Sequence, residues 1–495
     1  MLRCTAGTVI NTSAPIVIDN PVTVDGRGVT IEGDGRHRIF DIEASGVELL
    51  NFTMQRGDQA IRVSSGTTLT LTDSTVRDNT SSFSNGGAIF NDGVLTLLGT
   101  TVEDNLVELG SGGGIYNTGT LTLTNSKVLR NESARGSGGG IQNDQGGKVV
   151  IEGSEISENH AMADGGGISH VGVSSGDGTA DLTVTNSVIK TNTSEQNGGG
   201  ISSENGTVEV IDTMIQNNVA FEHGGGLSTT GESAMMSLTD SDVSGNKVVE
   251  NARNKHGGGV YLSFGKLEAT RTTWSENVSA VDAGAILVEG PTAELTLRQS
   301  TIYENRAANI GGGIRVYMGI ARIINSTIFR NVADVDGGAV HLGYPSTNAR
   351  VELRNSTISN NDVVGIAGEP VTRASAAISH VGGEVSFTQT LIDDTCCCGP
   401  ASAPASITQS LDHNIESPDD TCQLNGPNDL VNVTPQALGL EETLAENGGP
   451  TPTLMPSLQS VAVDYRISNC AEPVDQRGIS RPQNFECDIG AVEVD

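Results

Sequence analysis

The sequence predicts an all-β chain wound as a single-stranded right-handed parallel β-helix, a solenoid with a small C-terminal cap. One phrase recurs along it: "TDSTVRDNTSSFSNGGAIFN" at 72–91, "TNSKVLRNESARGSGGGIQN" at 124–143, "RQSTIYENRAANIGGGIRVY" at 298–317 and "INSTIFRNVADVDGGAVHLG" at 324–343. Between the phrases run short stretches of strict two-residue alternation such as "TLTLT" and "LTVT", and no 3.6-residue pattern competes with them. Glycine is 63 of 495 residues and aromatics are 3%, which suits stacked coils touching only their neighbours better than one globular core.

The elements of a coil follow in order. Eleven coils carry Ser or Thr, any residue, an aliphatic (once Trp274), two residues and then Asn: Asn79, Asn105, Asn131, Asn159, Asn192, Asn218, Asn246, Asn277, Asn305, Asn331 and Asn361. At the parallel-strand spacing of about 4.8 Å these side chains stack into an amide ladder. Just before the Ser or Thr stand Asp73, Gly99, Asn125, Gly153, Asn186, Asp212, Asp240, Asn325 and Asn355. Such residues tolerate left-handed backbone, so that row is a sharp bend. The glycines after each Asn mark a tight turn where backbones approach closely. A leucine-rich horseshoe needs several leucines and a helix per turn, and a calcium-filled roll needs Gly-Gly-x-Gly-x-Asp nonapeptides; the repeat has neither. Residues 1–60 read as N-terminal coils and cap, 61–400 as repeats and 401–495 as the C-terminal cap.

A formal charge of −32 argues against nucleic acid and anionic membranes, which need clustered Lys and Arg. No run of 18 apolar residues predicts a transmembrane segment, and the opening "MLRCTAGTVINTSAPIVI" shows no export signal. Outside the repeats lie Cys4, the consecutive Cys396, Cys397 and Cys398, and then Cys422, Cys470 and Cys487. Without CxxC pairs backed by His, disulfides are expected rather than zinc: Cys470 with Cys487, and Cys422 with one of Cys396 to Cys398.

Three constellations are chemical candidates. Glu268, Arg298, Arg322, Glu352 and Arg354 are expected as a charged patch on consecutive coils. It is the place for an enzyme of acidic polysaccharides, with calcium entering only under a lyase reading; alternating signs are also ordinary cross-strand pairing. The row before the glycines holds Asp164, Asn197, His223, His256, Asp282 and Asp336. His223, His256 and Asp282 could hold a metal, whereas Asn85, Ser111 and Ser137 in the same row read as a polar turn. Thr70, Thr72, Thr122, Thr124, Thr183 and Thr185 line one face, the pattern of an ice-binding array, interrupted by Val150, Glu152 and Glu209. Near the C-terminus Asp475, Arg477, Arg481, Asp488 and Glu493 are expected to pair internally and close the end of the solenoid.

The alternation of Gly-Gly-Ala/Gly-Ile with aliphatic-x-x-Asn resembles the repeat of polymorphic outer-membrane proteins and other bacterial surface β-helices of the pectate-lyase-like superfamily, over roughly residues 50–395. The tail motifs "DHNI", "PNDLVNVTPQALGL", "ENGGPTPTLMP" and "VDQRGISRPQNFECDIGAVE" resemble the choice-of-anchor Q domain. The resemblance implies a secreted or surface-displayed protein. A non-enzymatic, adhesin-like monomer that binds a glycan or a cell-surface protein without a cofactor is expected, because aromatics are 3% of residues and the net charge of −32 repels uronates. The alternative is a polysaccharide lyase or hydrolase. Specificity is expected in loops of unequal length, such as 173–181 and 248–255.

Overall fold

The computed structural model describes residues 7–144, 146–172, 181–249, 255–343, 348–365, 377–398, 407–467, 469–484 and 486–494. They form two compact units, one of Met1–Thr229 with Ser233–Met235, the other of Thr230–Glu232 with Met236–Asp495. Both are parallel β-solenoids. A coil of the first unit runs through strands Thr68–Thr72, Thr75–Arg77, Thr80–Ser81 and Ile89–Asn91 before the next opens at Val94–Leu98. Coils stack in register, so that Leu69, Leu95, Leu121 and Val149 form one inward row, each at most 1% exposed. The only helix among the described residues is one turn, Pro435–Leu438, capped by Thr434.

Each corner has its own physics. At the first, Asp73 (φ 45°), Asn125 (φ 49°) and Asn355 (φ 43°) are left-handed. Arg271 (φ 53°) and Gln299 (φ 52°) adopt the same conformation although neither type favours it. Distant partners hold them there: Arg271 donates twice to Asp240 (2.6 and 2.7 Å), and Gln299 Nε2 donates to Asp475 O at 3.1 Å.

The second corner is the residue just before each ladder Asn, also left-handed, as at Asp104 (φ 55°), Arg130 (φ 53°) and Glu158 (φ 57°). The asparagine itself supplies the restraint. Asn105 Nδ2 donates to Glu103 O at 2.8 Å, bridging the strained residue, and to Asn131 Oδ1 of the next coil at 2.9 Å. The file Asn79, Asn105, Asn131, Asn159, Asn192, Asn218 is continuous within the first unit. Asn246, Asn277, Asn305, Asn331 and Asn361 form one in the second, which ends on Asp394.

At the third corner Gly112 has φ 73°, and a Cβ on Gly113 would lie 2.4 Å from Gly139 O of the next coil. Only hydrogen fits there.

Strands Ile407–Asp412 and Ile415–Ser417 add one more coil to the second unit, pairing with Glu384–Thr388 and Leu391–Asp393. Leu430 then bridges to Ile415. The rest of the tail does not stop at that end, where closure was expected, but runs back along the side of earlier coils. Gln476 Nε2 donates to Thr301 Oγ1 at 2.8 Å, Asn325 Nδ2 to Val474 O at 2.8 Å, and Ala491 N to Thr357 Oγ1 at 3.0 Å. Leu391, Ile415, Leu438, Ala462, Ile467, Cys487 and Ile489 bury one another beneath it. The receiving stripe is mainly polar: Thr301, Thr327, Thr357 and Leu391 are in register and at most 2% exposed, Thr301 Oγ1 donates to Pro452 O at 2.6 Å and Thr327 Oγ1 to Gln476 Oε1 at 2.7 Å, so the tail satisfies the hydroxyls it buries.

Candidate functional site

The charged patch occupies two neighbouring rows of one sheet. Glu268, Thr296, Arg322 and Glu352 are in register in one, and Thr270, Arg298, Ile324 and Arg354 in the other. Arg322 lies 3.5 Å from Glu352 and 3.9 Å from Glu294, and Glu352 is also 3.2 Å from Arg350. Arg298 lies 3.9 Å from Glu472 of the tail. These are long, half-exposed pairs linking strands. Thr70, Thr96 and Thr122 stand in register on consecutive coils of the first unit, and Val150 follows them.

The row before the glycines is a hydrogen-bonded file in the first unit. Ser111 N donates to Asn85 Oδ1 (3.0 Å), Ser137 N to Ser111 Oγ (3.2 Å), and Asn197 N and Nδ2 to Asp164 Oδ1 (3.1 and 2.9 Å). His223 belongs to the first unit and His256 and Asp282 to the second. Among the described residues no group of three or more His, Cys, Asp or Glu side chains is arranged to hold a metal.

In the second unit this row faces a second one that the repeat pattern did not single out. The strand after the glycines points its second residue outward, and register aligns Tyr261, Leu287, Arg315, His341 and Ser379. Two members of the turn row meet the strand residue one coil further on: Asp282 pairs with Arg315, and Asp336 Oδ2 accepts from Ser379 Oγ at 2.5 Å. Ile310, which bridges to Asp336, takes the corresponding place before His341. An apolar side chain thus stands where a polar partner would, and buried His341 Nδ1 has no hydrogen-bond partner among the described residues.

Asp282, 2% exposed, is held from three sides. Asn309 Nδ2 donates to Oδ1 at 2.7 Å, the Arg315 guanidinium contacts Oδ2, and His256 Nδ1 lies 3.2 Å from Oδ2 at an angle that makes it an electrostatic contact rather than a hydrogen bond. Burial, with the Arg315 charge second, pushes His256 down to about 4, and the same causes, joined by His380, push His341 down to about 3. Both imidazoles are neutral at pH 7. Burial also lowers the Arg315 guanidinium, to about 10.

Beside this cluster the next outward row aligns Ser263 with Glu289, and Tyr317 follows Val316 on the next coil. Tyr261 OH donates to Glu289 Oε2 at 2.8 Å, and Arg315 lies over the Tyr317 ring, 5.1 Å from its centroid. Burial and the Glu289 charge raise the Tyr261 phenol well above its ordinary value. Phe264, 37% exposed, lays its ring against Gly290. The signal for these residues lies in "GGGVYLS" and "GGGIRVY", where Tyr and Arg occupy a position that is Ser in "GGGISS".

The tail set pairs internally. Arg477 Nη2 lies 2.9 Å from Asp475 Oδ2, and Arg481 Nη1 donates to Glu493 Oε2 at 2.8 Å with both side chains at most 1% exposed. Asp488, raised to about 6 by burial, accepts from Asp464 N and Val494 N. Two disulfides staple this region, Cys396 to Cys422 and Cys470 to Cys487. Cys4, the Cys397 and Cys398 side chains and most of loops 173–181 and 248–255 lie outside the described residues.

The right-handed β-helix region family matches residues 14–176. No curated protein matches the chain. The stacked parallel coils and this match define an all-β right-handed parallel β-helix. Among the described residues no helix is long and apolar enough to cross a membrane, which says nothing of a β-barrel.

Proposed function

We propose that the chain is a secreted or surface-displayed bacterial β-helix, a non-enzymatic, adhesin-like scaffold whose faces bind a glycan or a cell-surface protein. In this reading the tail is of the choice-of-anchor Q kind. One observation carries the non-enzymatic part. Three of the five charged residues of the patch are ion-paired within the fold, Arg322 between Glu294 and Glu352, and Arg298 against Glu472. A catalytic acid or base needs one partner at the reacting bond instead. Two disulfides support an oxidising, extracellular setting.

The competing reading is a lyase or hydrolase. Wild-type protein incubated with pectate, alginate and glycosaminoglycans plus calcium should give no unsaturated product by ultraviolet absorbance and no new reducing ends. Turnover lost on Arg298→Gln with Arg354→Gln in a folded protein would replace the scaffold by an enzyme. A glycan and host-protein binding screen tests the positive half.

A further inference from the structure

Aromatic side chains make up 3% of the chain, and in the second unit Tyr261 and Tyr317 fall on one outer sheet face within three successive coils, with exposed Phe264 directly after the strand that carries Tyr261. The core does not require them there, because the inward residues of the same strands, Val260, Leu262, Ile286, Val288, Ile314 and Val316, are fully buried aliphatics. In the first unit the same row includes Phe90, Tyr116, Gln142, Ser169 and Ser202; there Phe90 and Tyr116 stack on each other, with ring centroids 5.4 Å apart.

We propose that Tyr261, Phe264, Glu289, Arg315 and Tyr317 form a binding platform for a neutral oligosaccharide. Aromatic rings present flat apolar faces to the C–H faces of sugars, while polar groups beside them select hydroxyls. Here the polar groups are already oriented. Glu289 Oε2 accepts from Tyr261 OH, leaving Oε1 to accept from a sugar hydroxyl, and Arg315 is fixed between Asp282 and the Tyr317 ring. Groups held by their neighbours lose little freedom on binding. From the Tyr261 coil to the Tyr317 coil is two strand spacings, about 10 Å, enough for two linked sugar rings.

Charge selects a neutral ligand. Arg315 is compensated by Asp282 and Glu289 carries a further negative charge, in a chain of net charge −32, so uronate or sulfated polymers are repelled. The inference rests on the scaffold reading, and the experiment separates the two. Titration calorimetry with cellohexaose, xylohexaose, mannohexaose and chitohexaose, and with oligogalacturonate as the anionic control, should show binding of at least one neutral probe. Tyr317→Ala and Glu289→Gln, each checked for an unchanged melting temperature, should weaken it at least tenfold. Tyr261→Phe, which keeps the ring, should weaken it about threefold, and exposed Phe83→Ala on the first unit should leave it unchanged. Neutral-sugar binding unaffected by Tyr317→Ala and Glu289→Gln, or binding to host proteins alone, would overturn the platform and leave the scaffold standing. Tighter binding of oligogalacturonate would overturn the charge argument, and no glycan or protein ligand at all would remove both.

Discussion

The last rung of the second unit's ladder is an aspartate, and Asp394→Asn should therefore stabilise the protein in a pH-dependent way. Asp394 Oδ2 accepts from Asn361 N at 3.1 Å and Asn361 Nδ2 at 2.9 Å, as the amide oxygen of Asn361 accepts from Asn331 N and Nδ2. Its burial, with Asp393 and Asp362 near by, pushes the carboxyl from 3.8 up to about 7 against the opposing hydrogen bonds from Asn361. A raised carboxyl favours the protonated fold, so its stabilising contribution is complete below about pH 4 and is lost as pH rises through about 7. Over that window each pH unit costs about 1.4 kcal/mol, so ionisation removes at most about 4 kcal/mol by pH 7. Asparagine accepts the same two bonds without ionising, and the stacking register offers its amide Ile358 O, the counterpart one coil on of the Ile328 carbonyl to which Asn361 Nδ2 donates. With local relaxation halving the effect to about 2 kcal/mol, the variant should melt about 2–4 °C above wild type at pH 8 and within about 1 °C of it at pH 4. Paired thermal scans from pH 4 to 8 read this out, and the difference between variants cancels the buried histidines. An equal gain at all pH values, or a loss at pH 8, would refute the reasoning.

Four further outcomes are expected. His170, 1% exposed, ends a second buried file, Asn91, Asn117, Asn143, and burial pushes its imidazole down to about 4; wild type therefore loses up to about 3 kcal/mol as pH falls from 6.5 through 4, and denaturant titrations of His170→Asn should show that loss removed. Asn131→Ala leaves Val102 O, Leu129 O and two donors of Asn105 without their partner, and should cost about 3 kcal/mol or more by urea unfolding. Replacing Cys470 and Cys487 by Ser should cost about 3 kcal/mol, with both cysteines disulfide-linked in non-reducing peptide maps of wild type. Arg298→Gln with Arg354→Gln should change stability by at most about 1 kcal/mol, as exposed pairs do.

The coil phase was legible because two of its corners are written in residue type. Glycine at 112 and aspartate or asparagine at 73 and 125 are needed by the backbone itself. The corner before each ladder Asn carries Asp, Arg, Glu and Thr alike, at Asp104, Arg130, Glu158 and Thr191, because the restraint comes from the following asparagine. Arg271 and Gln299 were illegible for a related reason. What makes left-handed backbone tolerable there is a partner 31 residues earlier in one case and 176 later in the other. Local propensity cannot report an interaction that only the stacked coils create. The tail's path is similar, since its motif marks a folded element but the threonine stripe that receives it, Thr301 to Thr357, belongs to other coils.

The polar cluster of the second unit shows where repeat reading stops. Alignment finds rows of equal residues, and it found the turn row because Asp, Asn, Ser and His recur there. The opposing strand row varies in type, from Ser202 to Arg315 to His341, so nothing recurs to be noticed. Chemistry in a solenoid arises where such a row departs from its own average, because every coil supplies the same scaffold and only the exceptions differ. Asp282 meets Arg315 because the two rows are offset by one coil, a geometric fact absent from any single repeat. The same offset sets Ile310 before His341 and keeps that imidazole neutral, with burial and the Arg315 charge both opposing its protonation. The face beside it therefore offers hydroxyl, carboxylate and aromatic groups with a cation compensated by Asp282, the composition on which the proposed neutral-sugar platform rests.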